Sequence, residues 1–175
     1  MAFDQALPRL VRWVAAEPDW DLVYREQLPR VYNFFRYRLG STVDAEDLTA
    51  RTFEKAWRAR HRYRRDVAGF STWLLAIARH VAADHFRARR PSVPLDAAKS
   101  VASPSRTPEE VLVLSSEAEK LAVLLATLSE RERELLALKY GAEMTNRAIA
   151  RLTGLSESNV GTIVHRAVET LRSRW

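Results

Sequence analysis

At 175 residues, 47% of them hydrophobic, the chain is long enough to bury one or two small cores. It has no cysteine, which excludes disulfides and thiolate metal sites and suits a reducing cytoplasm. The net charge of +6 and pI near 10 favour a polyanionic partner over a small acidic substrate.

The first twenty residues, MAFDQALPRLVRWVAAEPDW, contain no signal-peptide apolar core, and no run in the chain approaches the ~18–20 apolar residues that span a bilayer. A short helix is expected over roughly 3–16, carrying Leu7, Leu10, Val11 and Val14 inward. A second is expected over 20–39, with Leu22, Leu28, Val31, Phe35 and Leu39 on its inner face and Gly40 as its C-cap. Pro29 predicts a kink there, or a start nearer Leu28.

The stretch from Thr42 to Arg90 reads as two helices with faces of opposite charge. In TVDAEDLTARTFEKAWRAR the residues Ala45, Leu48, Thr52, Phe53, Ala56 and Trp57 recur at helical spacing and predict a buried stripe. Asp44, Asp47, Arg51, Glu54 and Arg58 fall on the opposite side, the acids near the N-terminus where the helix dipole favours them. A basic loop, RHRYRRDVAGF, leads to STWLLAIARHVAADHFRARR. There Trp73, Leu74, Ile77, Ala78 and Val81 make the inner stripe, with Arg79, His80, Asp84, Arg87 and Arg90 off it. Eleven Lys and Arg against three Asp and Glu between Arg51 and Arg90 give +8, more than the whole chain carries. Alone, an acidic first turn is only a good helix start, and a basic run is only a solvated surface. Their combination with a second element of DNA-binding type points to function.

Pro91, Pro94, Pro104 and Pro108 crowd one window, PSVPLDAAKSVASPSRTP, which lacks aromatics and reads as an extended linker. Beyond it, EEVLVLSSEAEKLAVLLATL and SERERELLALKYG predict two helices. Ser129 and Glu132 form a capping box for the second, and Gly141 closes it. Thr145 caps a short helix with Ile149 and Leu152 inward, and Gly154 and Leu155 turn the chain. Ser156 caps a long last helix with Val160, Ile163, Val164, Ala167 and Leu171 inside. That is a helix-turn-helix pattern. It would turn Ser158, Asn159, Gly161, Thr162, His165 and Arg166 outward, toward a major groove. No segment alternates convincingly as a strand, so the expected fold is all-α.

These pieces resemble the extracytoplasmic-function (ECF, group IV) sigma factors of bacterial RNA polymerase. DAEDLTARTFEKAW resembles the helix that grips the polymerase clamp, FSTWLLAIARHVAADHFRARR the promoter-melting helix, and LSERERELLALKY with NRAIARLTGLSESNVGTIVHRAVETLR the family's fourth region. The chain departs from the family at His80, where Asn is common, and at Gly161, where Lys or Arg is frequent. The resemblance implies two small helical domains on a flexible linker: an extension over 1–19, region 2 over 20–91, a linker over 92–112 and region 4 over 113–175. It implies that Asp44, Glu46, Asp47, Arg51 and Glu54 dock on core polymerase. Arg62, Arg64, Arg65, Trp73, Arg79, His80, Asp84, Arg87 and Arg90 would hold the −10 element, with the loop 60–70 receiving a flipped base. Ser156, Ser158, Asn159, Gly161, Thr162, His165 and Arg166 would serve the −35 element. Fully extended, the linker reaches on the order of 60 Å. An anti-sigma factor is a further implied partner, and no covalent chemistry, cofactor, metal or membrane insertion is expected.

Two other classes remain to be weighed. A helix-turn-helix repressor or activator explains the C-terminal half but not the acidic face, and it would normally dimerise on a palindrome. A helical enzyme using His80, Asp84 and His85 would need convergent polar groups around a pocket. His80 and His85, five residues apart, lie on different helix faces.

Overall fold

The computed structural model describes residues 19–89 and 117–175, and every regular element in them is helical. The expected helix over 3–16, Arg90, the linker 92–112 and the residues 113–116 lie outside the described residues.

Helix α1 (Trp20–Leu39) begins where the Asp19 carboxylate accepts from the backbone N–H groups of Asp21 and Leu22, and it ends on Gly40 at φ 73°. It runs through Pro29, so a start near Leu28 is corrected to Trp20. Val31, Phe34 and Phe35 are fully buried, whereas Leu22, expected inside, is 52% exposed. Helix α2 (Thr42–Ala59) starts on Ser41, whose hydroxyl accepts from the Asp44 N–H. Its inner stripe forms as expected except for Trp57, which is 48% exposed. Thr49 and Thr52 are buried there because their hydroxyls donate to the carbonyls of Ala45 and Leu48, which removes most of the cost of burying a polar group. A 3₁₀ turn (Arg60–Arg62) and a loop lead to α3 (Phe70–Arg89), which buries Leu74, Leu75, Ala78, Val81 and Ala82.

In the second half, α4 (Glu117–Ala126) precedes α5 (Glu130–Leu136), which has the full capping box between Ser129 and Glu132. The end of α5 is not a glycine cap. The chain widens into a π turn (Ala137–Gly141), closed by the Ala142 N–H donating to the Ala137 carbonyl at 2.9 Å. Glu143 takes the left-handed conformation, at φ 54°, while Gly141 does not. Helices α6 (Asn146–Thr153) and α7 (Glu157–Arg172) follow, capped by Thr145 and Ser156 and separated by Gly154 at φ 75°.

One continuous core runs through both halves, from Val31, Phe34 and Leu74 to Leu136, Ile149 and Val164. Helix α1 packs against α2 and α3 on one side and against α5 and the π turn on the other. The two halves therefore form one body, with α1 at the seam.

Candidate polymerase and nucleic-acid interfaces

The acidic side of α2 is largely exposed, and the charges of Asp44, Asp47 and Glu54 are already matched. Asp47 pairs with Arg51 at 3.0 Å and Glu54 with Arg58, both one turn apart. Asp44, at the N-terminus of the helix, reaches Arg89 of α3 at 3.3 Å and is only 24% exposed. Exposed pairs of this kind contribute about 0–1 kcal/mol each, so an incoming charged surface can exchange them cheaply. Glu46 is exposed and rims an apolar groove formed with Tyr24, Leu28, Tyr32 and Thr49.

Next to this face lies an aromatic cluster. Trp20 meets Trp57 edge-on at 5.2 Å and Phe70 at 5.7 Å, and Tyr63, Phe70 and Trp73 form a triangle with centroids 5.2–5.4 Å apart. Trp57 is exposed because it covers Trp20 and carries the Arg60 guanidinium 4.1 Å above its ring. Tyr63, Arg65, Phe70 and Ser71 line a cavity of about 310 Å³ whose far wall is Glu26 and Gln27 of α1. Sequence reasoning placed a pocket in this loop but missed the α1 wall, because no local period links Gln27 to Phe70. Arg62 and Arg65 are exposed; Arg64 is held by Asp66 at 2.6 Å, a hydrogen bond that lowers the Asp66 pKa.

Along α3 the expected −10 residues separate. His80 is exposed, and its Nδ1 lies 2.7 Å from the Ala76 carbonyl. A carbonyl can only accept, so Nδ1 is the donor in this contact. Asp84 bridges Lys55 and Arg87, both at the surface. Trp73 is half-buried against the core. Arg79 points elsewhere: its Nε donates to Glu134 Oε1 at 2.9 Å and its Nη1 to the Leu152 carbonyl at 2.6 Å. Both partners belong to the second half of the chain.

In the helix-turn-helix, Ser156 is used as the α7 cap, its Oγ accepting from the Asn159 N–H at 3.1 Å. Ser158, Asn159, Thr162, His165 and Arg166 are exposed, with the Thr162 hydroxyl donating to the Ser158 carbonyl. Gly161 is the exception to the expected outward row. A Cβ there would lie 3.4 Å from Asn146 Nδ2, so the position faces α6 and is half-buried.

The seam holds residues that the sequence did not single out. Arg30 donates through Nε to the Ala142 carbonyl at 2.9 Å and through Nη2 to the Glu143 carbonyl at 3.3 Å. Arg38, 7% exposed in its side chain, grips the carbonyl and carboxylate of Glu130. Burial pushes the Arg38 pKa down, and burial together with the neighbouring Arg38 charge does the same to Arg133.

The described residues thus join a helix-turn-helix to a helical bundle whose aromatic-lined cavity is bordered by Arg65 and Glu26. The family models agree with it: residues 23–91 match Sigma-70 region 2 and residues 118–171 match Sigma-70, region 4. The ECF RNA polymerase sigma factor ShbA of Streptomyces griseus is 35% identical over 133 residues, 73% of this chain and 70% of that one. The ECF RNA polymerase sigma factor BldN of Streptomyces coelicolor is 29% identical over 151 residues, 85% of this chain; the match spans 57% of BldN. In fold, the chain is similar to the sigma factor RpoE crystallised with the anti-sigma factor NepR from Bartonella quintana. The TM-score is 0.68 at 20% identity, covering 89% of this chain and 96% of that one. The chain belongs to the sigma-70 family, in its ECF group.

Proposed function

We propose that this protein is an alternative sigma factor, which binds core RNA polymerase and directs promoter-specific initiation by recognising −10 and −35 elements and assisting melting. The observation that carries the reading is the presence, in order on one chain, of both sigma regions. In this reading residues 20–91 form the polymerase-binding and −10 domain and 113–175 the −35 domain, with 92–112 linking them and 1–19 as an extension.

The division of labour follows from the surfaces. Asp44, Glu46, Asp47, Arg51 and Glu54 dock on the clamp, where charge pairs set register and on-rate more than affinity. Arg62, Arg64, Arg65, His80, Arg87 and Arg90 track the phosphates of the separated strand, with Asp84 orienting Arg87. Trp73 and its aromatic neighbours shape a pocket for an unstacked base. The exposed row of α7 reads the −35 duplex, with Ser156 holding its N-terminus at the groove. The chain supplies binding and positioning, and bond formation belongs to the polymerase. An anti-sigma factor completes the set of partners; capture from uninduced cells that returned polymerase and no inhibitor would remove it.

The test is in vitro transcription with core polymerase on a library of genomic promoters, with start sites sequenced. Specific initiation dependent on this protein is expected. No transcript from any promoter would overturn the reading.

A further inference from the structure

Helices α1 and α2 leave an apolar groove between them. Tyr24, Leu28, Pro29 and Tyr32 of α1 line one side and Glu46 and Ala50 of α2 the other, around a volume of about 400 Å³. Thr49 also lines it, with its hydroxyl donating to the Ala45 carbonyl at 2.6 Å, so its polar atom is already satisfied. Tyr24 is 47% exposed, and Pro29 and Ala50 are exposed as well. Of the acids of α2, Asp44, Asp47 and Glu54 have ion partners, whereas Glu46 on the rim has none among the described residues. An open apolar surface with a polar rim marks a docking site.

The chain carries a segment that fits it. Leu7, Leu10, Val11 and Val14 recur at helical spacing just before α1, with Gln5, Arg9 and Arg12 on the opposite side. Pro8 suits the first turn of such a helix, and Pro18 disfavours helix at Glu17, directly before the Asp19 cap that starts α1. A connection of Glu17, Pro18 and Asp19 has the length that joins two antiparallel helices as a hairpin. Counting outward from Asp19 aligns the two stripes. Val14 and Tyr24 each lie five residues from it, Leu10 and Leu28 each nine, and Leu7 and Tyr32 twelve and thirteen. Leu7 to Val14 covers about 10 Å of helix and Tyr24 to Tyr32 about 12 Å, so the lengths match too.

We propose that this groove is the docking site of the chain's own N-terminal segment, residues 7–16, laid antiparallel along α1 with Val14 at Tyr24 and Leu7 at Tyr32. Arg9 and Arg12 then face solvent. The inference goes beyond the proposed sigma function and does not depend on it. It gives α2 two working surfaces. Glu46, Thr49 and Ala50 border the segment, while Asp47, Arg51 and Glu54 lie about 100° round the helix, free to meet a different partner. A partner that offers region 2 an amphipathic helix of the same chemistry has to compete with the segment for the groove.

The experiment places cysteine pairs in the full chain, which has none of its own. Val14→Cys with Tyr24→Cys and Leu7→Cys with Tyr32→Cys are in register; Val14→Cys with Tyr32→Cys and Leu7→Cys with Tyr24→Cys are not. Under a mild oxidant the in-register pairs should close at least about 10-fold faster, because a disulfide needs Cα atoms within about 7 Å. Equal rates in the two sets overturn the proposal. So does a disulfide that joins two molecules, which would make the occupant a second copy. A second measurement leaves Tyr24 and Tyr32 intact. Leu10→Asp with Val14→Asp should empty the groove, and circular dichroism checks that this variant keeps its helices. A labelled peptide of residues 3–16 should bind it about 10-fold or more tighter than the parent, whose tethered segment competes at high effective concentration. A peptide that binds both alike, or neither, overturns the proposal. Neither readout involves polymerase or promoter, so absence of initiation by the parent protein would strike the sigma reading alone.

Discussion

At the residue scale, the proposed function divides the exposed row of α7 between base reading and phosphate holding. Asn159 sits at the helix N-terminus, its backbone N–H bound by Ser156 and its side chain exposed. An Asn amide matches the donor–acceptor pair of adenine in the major groove. Asn159→Ala should cost ~1–3 kcal/mol on the best −35 sequence and relax preference at one or two positions. Arg166, seven residues and about two turns on, should hold phosphate, so Arg166→Ala should weaken all sequences alike and flatten the salt dependence. A randomised −35 library checks both; an unchanged preference profile for Asn159→Ala would refute base reading. The proposed function separates the two faces of region 2 in the same way. Asp47→Arg loses only an exposed pair with Arg51, so stability should change by no more than about 0.5 kcal/mol while polymerase affinity falls. Arg87→Ala, which leaves the exposed Asp84 paired with Lys55, should leave polymerase binding intact and slow open-complex formation. Equal loss of polymerase affinity in both variants would reject the division.

At the scale of elements, caps decide where helices begin. Helix α5 has seven residues, too short to stand on propensity, and its capping box satisfies two of its otherwise unpaired donors. Ser129→Ala should cost about 1 kcal/mol, read from a urea melt. The same box links stability to pH. The Ser129 hydroxyl and N–H hold the Glu132 carboxylate below its ordinary pKa of 4.5. A depressed carboxylate stabilises the fold above its unfolded pKa, and that contribution is lost as pH falls through the folded value. Stability should therefore drop on the acid side of pH 4.5, and less steeply in Ser129→Ala. An unchanged acid slope would show that the box contributes nothing to it. The two turn glycines serve geometry: Gly40 and Gly154 end α1 and α6 in the left-handed region. Gly141, read in the sequence as a third helix end, serves packing: a Cβ there would lie 2.8 Å from the Asn33 carbonyl oxygen of α1.

At the scale of the whole molecule, the core does not respect the division into regions. Phe34 and Phe35 of α1 are fully buried in the same cluster as Leu135, Leu136 and Leu138. Calorimetry of the full chain at low salt should therefore show a single cooperative transition. Gly141→Ala should resolve it into two, one for each region. Phe34→Ala should cost about 3–5 kcal/mol and lower that single transition. Two transitions in the parent protein would show that the shared core carries little energy.

The sequence alone was enough for what depends on neighbours within a turn or two. The all-α class, the caps at Ser129, Thr145 and Ser156, the buried stripe of α2 and the helix-turn-helix all rest on spacings of three to seven residues, which a helix converts directly into faces. The sequence also placed a basic loop beside aromatics. Only the tertiary structure decided which of these side chains are free. Trp57 left the stripe to cover Trp20, Gly161 turned toward Asn146, and Asp44 met Arg89. Arg79 reached Glu134 across 55 positions and Leu152 across 73, and Arg30 reached Ala142 across 112. No helical period relates residues so far apart. Their meeting is set by how two amphipathic halves share one apolar core, and that is a property of the packed chain.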